Sequence, residues 1–244
     1  MSESPVDAGA VDVDADVSAV ECLPGLPAAG ELAATPRPDV NLELLALKLS
    51  PGRIVADEAV YRRVVRDVGA IRTAQRQLVG IGFFPERDGR TIVLVVLVPI
   101  SEQMQAGNYR SWDCLNDTYG ASLPFEFIRI GNADNVFVIV KLKGIYAVDL
   151  LAAEYGRLLG ITSAEGGVIG GDGPTICVTP GDTAWHYVFD AAGGDCPAGC
   201  TEHAYSHFVT RTDGALTALE TWSGADLTAA PAWVAEFADY ATCH

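Results

Sequence analysis

The residues best suited to chemistry gather near the C-terminal end of this 244-residue sequence. All four histidines, His186, His203, His207 and His244, fall in the last 59 residues, together with three of the six cysteines. The densest stretch, GGDCPAGCTEHAYSH, spaces Cys196, Cys200, His203 and His207 as C-x3-C-x2-H-x3-H. Two thiolates and two imidazoles are a ligand set for tetrahedral zinc, so these four residues form a candidate metal site. The alternating aromatics of HAYSHFVTR, however, read as a strand. On a strand His203 and His207 stand about 13 Å apart, too far for bonds of about 2 Å to one ion. The expectation is no cofactor, with zinc as the alternative. A Cys196–Cys200 disulfide fits the spacing better, because Pro197 and Gly199 permit a turn tight enough to bring the two Cα atoms within bridging range.

Nucleophilic catalysis needs a Ser or Cys activated by a base and an orienting carboxylate. No G-x-S-x-G occurs. Cys200 with His203 or His186 and Asp190 outlines a hydrolase-type arrangement, which keeps His186 and Asp190 as a possible site, but spacing alone does not select it. A redox dithiol requires a lowered thiol pKa, and the neighbouring Asp195 acts in the opposite direction. The glycine-rich run Gly166–Gly173 has neither the Walker lysine nor the G-x-G-x-x-G register of a phosphate cradle, and reads as an inter-strand loop. Asp12, Asp14 and Asp16 alternate like calcium ligands, yet Val17 and Leu23 stand where an EF-hand loop needs Gly and Glu. Arg62, Arg63 and Arg66 present either an anion site or a solvated helix face.

The cysteines are Cys22, Cys114, Cys177, Cys196, Cys200 and Cys243. An even number behind a tether-like start points to an oxidising, extracytoplasmic compartment, the alternative being a cytosolic chain with buried thiols. Cys22 with Cys243 would pin the two ends, and Cys114 with Cys177 a helix to a strand. The first twenty residues show no basic n-region and no apolar h-region, so the export signal is expected outside this chain. The segments WHYVFD, GDCPAGC and HAYSHF, with NYRSWDCLNDTYG and KLKGIYAVDLLAAEYGRLLGI before them, resemble a group of uncharacterised bacterial secreted proteins and lipoproteins. The resemblance covers about residues 55–222 and implies a compartment and a cysteine pairing. It implies no reaction or ligand.

Composition narrows the function classes further. The net charge of −16 argues against broad binding to nucleic acid or anionic membrane. It is concentrated at the ends, with −7 over residues 1–40 and −8 over 181–244. The longest apolar run, Ile92–Val98, is seven residues, short of the roughly 20 a transmembrane helix needs. The leading expectation is a non-enzymatic secreted or envelope-tethered module that binds an unknown protein or envelope component. The alternatives are a metal-binding protein or hydrolase centred on residues 186–207, and, more weakly, a propeptide-like protease inhibitor.

Residues 1–50 read as a disordered acidic linker and extended lead-in, with Pro24, Pro27, Pro36 and Pro38. In 51–180, a helix over 57–78 is capped by Asp57 and carries Val60, Val64, Val68, Ile71 and Leu78 on one stripe. VGIGFF and TIVLVVLV read as a hairpin turned at Asp88-Gly89. A helix over 104–119, a hairpin 124–130/135–142, a helix over 147–158 and short strands near 160–165 and 174–178 follow. Ile92–Val98 and Val136–Val140 are apolar throughout and predict interior strands covered on both faces, with the final segment as one cover. Residues 181–244 form a β-rich region with a C-terminal helix begun at Pro231, either separate or joined to 51–180. The fold class is α+β: a mostly antiparallel sheet with helices on one face, built from helix–hairpin units and followed by β-rich structure.

Overall fold

A computed structural model describes residues 37–131, 134–196, 200–224 and 229–234. The fold is α+β, with two four-stranded antiparallel sheets and helices packed on them. Sheet A, in the order β2-β3-β1-β4, uses β1 (Arg87–Leu97), β2 (Ala121–Arg129), β3 (Asn135–Leu142) and β4 (Ile161–Val168). Sheet B is a meander of β5 (Thr175–Pro180), β6 (Ala184–Asp190), β7 (His203–Arg211) and β8 (Leu216–Gly224).

Helix α1 (Val40–Lys48) lies where the prolines predicted an extended lead-in. Its cap is Asp39, whose Oδ1 accepts from the Leu42 N–H, and the last proline, Pro38, stands just before that cap. The expected acidic linker and the Asp12, Asp14 and Asp16 pattern lie outside the described residues, as do Cys22, Cys243 and His244. Helix α2 (Glu58–Ala74) begins as expected: Asp57 Oδ1 accepts from the Ala59 and Val60 N–H groups. Its Val64, Val68 and Ile71 are wholly buried with α1 against one face of sheet B, where Ile176, Tyr187, Phe189 and Phe208 meet them.

Two expected elements are replaced. The segment 79–84 is irregular, and the Asp88-Gly89 turn lies inside β1. Asp88 accepts from the Arg90 and Thr91 N–H groups, and Gly89 takes φ +69° beside a register shift between β1 and β4. The pair therefore shapes a bulge rather than a hairpin. The expected helix over 104–119 is two, α3 (Val98–Gln105) and α4 (Asp113–Tyr119). Gly107, at φ +72°, turns the chain into the left-handed region and stops α3. Helix α5 (Val148–Tyr155) follows β3.

Helices α3, α4 and α5 cover one face of sheet A, burying Ile92, Leu94, Val96, Val136, Val138 and Val140. The other face departs from expectation. Burial alternates from Ile92 to Leu97 and along β3, with the outward residues of the two apolar runs only partly buried or exposed, so the runs are fully enclosed on one side alone. The final segment builds sheet B, with its own helix layer, rather than a lid for sheet A.

Candidate functional site

Strands β6 and β7 place the histidines. Trp185, Tyr187 and Phe189 face the helices, so His186, Val188 and Asp190 occupy the opposite face of the sheet. On β7 the same parity sends Phe208 inward and sets His203, Tyr205, His207 and Val209 beside them, since Val188 pairs with His207 and Asp190 with Tyr205. The alternation predicted from sequence is observed. Trp233 and Val234 then cover the middle of this face, with Val234 packed on Cys177, Val188 and Tyr205.

Two histidine contacts result. His203 Nδ1 lies 2.8 Å from Asp190 Oδ2, and its Nε2 lies 3.2 Å from the Cys200 carbonyl oxygen. Tyr205 stacks flat on the His203 ring at 5.7 Å. His186 Nδ1 lies 3.0 Å from His207 Nε2, and Trp233 stacks on His207. The His186 and His207 ring centroids are 5.3 Å apart, the separation of two rings meeting nitrogen to nitrogen in line. That is the geometry of an N–H···N hydrogen bond; two ligands of one ion would converge on it at an angle.

Cys196 and Cys200 are bonded to each other. Cys114 and Cys177 are also disulfide-bonded, and no cysteine among the described residues is free. The proposed set Cys196, Cys200, His203 and His207 is therefore not assembled. Both sulfurs are in the bond, and the two histidines sit four residues apart on a strand with different partners. No group of three or more His, Cys, Asp or Glu side chains suited to a metal occurs among the described residues. Cys200 likewise offers no thiolate to the arrangement with His203 or His186 and Asp190.

This corner is tied together like a strut. The Asp172 N–H donates to the Cys196 carbonyl at 3.0 Å, and Asp172 Oδ2 accepts from the Cys200 N–H at 3.4 Å. Gly193 pairs with Glu202 at the base of the loop, and Gly194, at φ +85°, leaves no room for a Cβ against Thr201. A loop this short constrains the unfolded chain by about 2 kcal/mol. The double variant Cys196→Ser/Cys200→Ser is thus expected to lose no more than about 2 kcal/mol in urea denaturation, leaving the secondary structure unchanged.

Burial pushes the Asp190 carboxyl up; the hydrogen bond and charge of His203 oppose this, and the Asp172 carboxylate adds to the rise. A carboxyl raised in the folded state holds its proton more tightly there than in the unfolded chain. The stability it contributes is complete below the ordinary carboxylate value and is lost as pH rises through the folded one. Unfolding free energy measured across that interval is expected to fall with pH, and Asp190→Asn to flatten the decline.

The arginines are occupied as well. Arg62 pairs with Glu58 at 2.6 Å, whereas Arg63 and Arg66 both reach Asp67. Asp67, at 2% exposure, also accepts from the Tyr187 hydroxyl at 3.0 Å and from Thr210 Oγ1 at 2.6 Å. Arg63 further lies 4.2 Å over the Trp185 ring. This carboxylate joins α2 to β6 and β7, and sequence reasoning missed it. The available signal was position: Asp67 follows Val64 by three and precedes Ile71 by four, which puts a charge on the apolar stripe. The glycine run also has a packing role, since a Cβ at Gly166 would meet Val148 Cγ2 at 2.5 Å and one at Gly167 would meet Thr91 at 2.8 Å.

Elsewhere, an open cleft of about 710 Å³ lies between the α3–α4 region and β2, bordered by Tyr109, Asp117, Leu123 and Phe125. The second face of sheet A carries Ile128, Phe137 and Val95 in one row across β2, β3 and β1, and Ile139 and Val93 in the next. None of these five belongs to, or packs against, a hydrophobic cluster identified among the described residues. No described helix is long and apolar enough to cross a membrane. Comparison with protein-family models, curated proteins and solved structures gave no match.

Proposed function

We propose that this chain is a non-enzymatic, extracytoplasmic binding module, secreted or tethered to the cell envelope, whose partner is a protein or another envelope component. The observation that carries the reading is the apolar second face of sheet A, where the partly buried Val93, Val95, Phe137 and Ile139 and the exposed Ile128 join no hydrophobic cluster among the described residues. Ile128 is 46% exposed, and Ile130, just past the end of the strand, is 64% exposed. Apolar side chains gathered on one face outside the core are where an interaction site is first sought. Two further observations agree. Every described cysteine is in a disulfide, as an oxidising compartment requires. The three described histidines, His186, His203 and His207, make hydrogen bonds to neighbouring protein groups, and the nearest cysteines offer no nucleophile. The module is proposed to act without a cofactor.

The test is retention of envelope components by immobilised, oxidised protein. Wild type is expected to retain a defined partner, and Ile128→Glu with Ile130→Glu to lose it with folding unchanged, since both side chains are exposed. Equal retention by the variant would remove this face from the reading. Turnover of a substrate that depends on His203 or Asp190 would replace the reading with an enzyme.

A further inference from the structure

We propose that a proton fastens the Cys196–Cys200 disulfide to β7: a proton shared by Asp190 and His203 closes the contact from His203 to the Cys200 carbonyl, and its loss opens that contact. His203 Nε2 lies 3.2 Å from the Cys200 carbonyl oxygen, and Nδ1 lies 2.8 Å from Asp190 Oδ2. A carbonyl oxygen only accepts, so Nε2 must carry a proton. The Nδ1 contact needs a second one, because a bare imidazole nitrogen and a bare carboxylate repel each other at 2.8 Å. That second proton sits either on Nδ1, giving an imidazolium beside a carboxylate, or on Asp190, giving two neutral groups. Both arrangements hold one proton more than a neutral histidine beside an ionised aspartate. The two groups therefore titrate as a unit.

Removing the shared proton leaves one proton for two contacts. Kept on Nε2, it would hold the carbonyl and set the Nδ1 lone pair against a full negative charge. Kept on Nδ1, it holds the charge-assisted bond to Asp190, the stronger of the two, and turns a lone pair toward the Cys200 oxygen. The second arrangement wins. Deprotonation thus releases the Cys200 carbonyl and leaves Asp190 and His203 joined. The Cys200 N–H stays with Asp172 Oδ2 at 3.4 Å, a bond that needs no such proton. The contact is complete on the acid side of the titration and lost on the alkaline side, because the closed form binds the extra proton.

The surroundings favour the closed form. Burial and the like charge of Asp172 both drive Asp190 toward holding a proton. Glu202 borders the same open hollow of about 320 Å³ as His203, and Asp195 lies in the disulfide loop itself. Tyr205 stacks flat on the His203 ring, with its hydroxyl 3.4 Å from Nδ1. Strands β5 and β8 bring only Thr175 opposite Asp190 and Gly224 opposite His203. Among the described residues no lysine or arginine pairs with either group. Farther along the face, His186 and His207 are bonded to each other. The His203 and Asp190 side chains are 13% and 9% exposed, so water has little access to replace a lost partner.

Nuclear magnetic resonance of the full oxidised chain, with nitrogen-labelled histidine and a carbon-labelled backbone, tests this across the carboxyl and histidine titration range. His203 Nε2 is expected to carry a proton below its transition and to lose it above, leaving the Nδ1–H form. The Cys200 carbonyl carbon shift should move with the same midpoint. Asp190→Asn supplies an amide N–H to Nδ1 and removes the need for the shared proton. In that variant Nε2 should keep its proton, and the Cys200 carbonyl shift should stay fixed, over the whole range. Wild type supplies the first two readouts whether or not the variant folds. A constant protonation state of Nε2 in wild type, or a Cys200 shift that ignores the His203 transition, would overturn the proposal. So would an Asp190→Asn chain that titrates like wild type.

Discussion

Asp67→Ala is expected to lower the unfolding free energy by about 3–5 kcal/mol, measured by urea denaturation followed by far-ultraviolet circular dichroism. The carboxylate is 2% exposed and accepts from Tyr187, Thr210, Arg63 and Arg66 at once. Its removal leaves the Tyr187 and Thr210 hydroxyls without their acceptor, and strands the half-buried Arg63 guanidinium over Trp185. Removing one member of a buried charged network costs more than the network contributes when whole, because the remaining groups are left desolvated. Burial, the adjacent Asp67 charge and the hydrogen bond to it all push the Tyr187 hydroxyl above the ordinary tyrosine value. Tyr187→Phe should therefore cost only about 1–3 kcal/mol, because it removes one donor and leaves the carboxylate three others. A loss of under 1 kcal/mol for Asp67→Ala would show that α2 is held to sheet B by apolar packing alone.

Phe189→Ala is expected to cost about 3–5 kcal/mol as well, by a different route. Phe189 is fully buried and meets Phe208 edge to face at 5.9 Å, with the α2 stripe above it. Truncation opens a cavity between a meander and a helix, neither of which can close on it without breaking ladder hydrogen bonds or caps. The adjacent outward position offers the comparison. His186→Ala removes one hydrogen bond on the far face of the same strand, to His207, and should cost about 1 kcal/mol. Similar losses at the two positions would contradict the assignment of the inner and outer faces of β6.

These two sites also show what could be read from sequence. The Trp185–Tyr187–Phe189 alternation and the Val64–Val68–Ile71 stripe both predicted their faces correctly, because periods of two and 3.6 are imposed by backbone geometry whatever the tertiary context. The Cys196–Cys200 bond was legible for a related reason: a span of four residues leaves few conformations to weigh. Asp67 was hidden because its partners Tyr187 and Thr210 lie 120 and 143 residues away, and local patterns carry no information on such separations. The Asp190–His203 contact was obscured similarly, since it depends on β6 and β7 being neighbours in one register. Helix α1 was missed because the prolines before it dominate the local composition, although its Asp39 cap was in view. The apolar runs of β1 and β3 misled most. A strand that is apolar at every position reads as enclosed, yet here alternate side chains are only partly buried and join no core cluster among the described residues.

The four tryptophans are divided among the layers of the molecule. Trp112 sits in the core beneath sheet A, Trp185 in the core between α2 and sheet B, and Trp222 and Trp233 on the far side of sheet B. Each layer thus carries its own native fluorophore. Single-tryptophan versions would reveal whether the layers melt together or in sequence, without any label being added. Coincident transitions would make the molecule one cooperative unit; a staggered set would give the order in which its layers come apart.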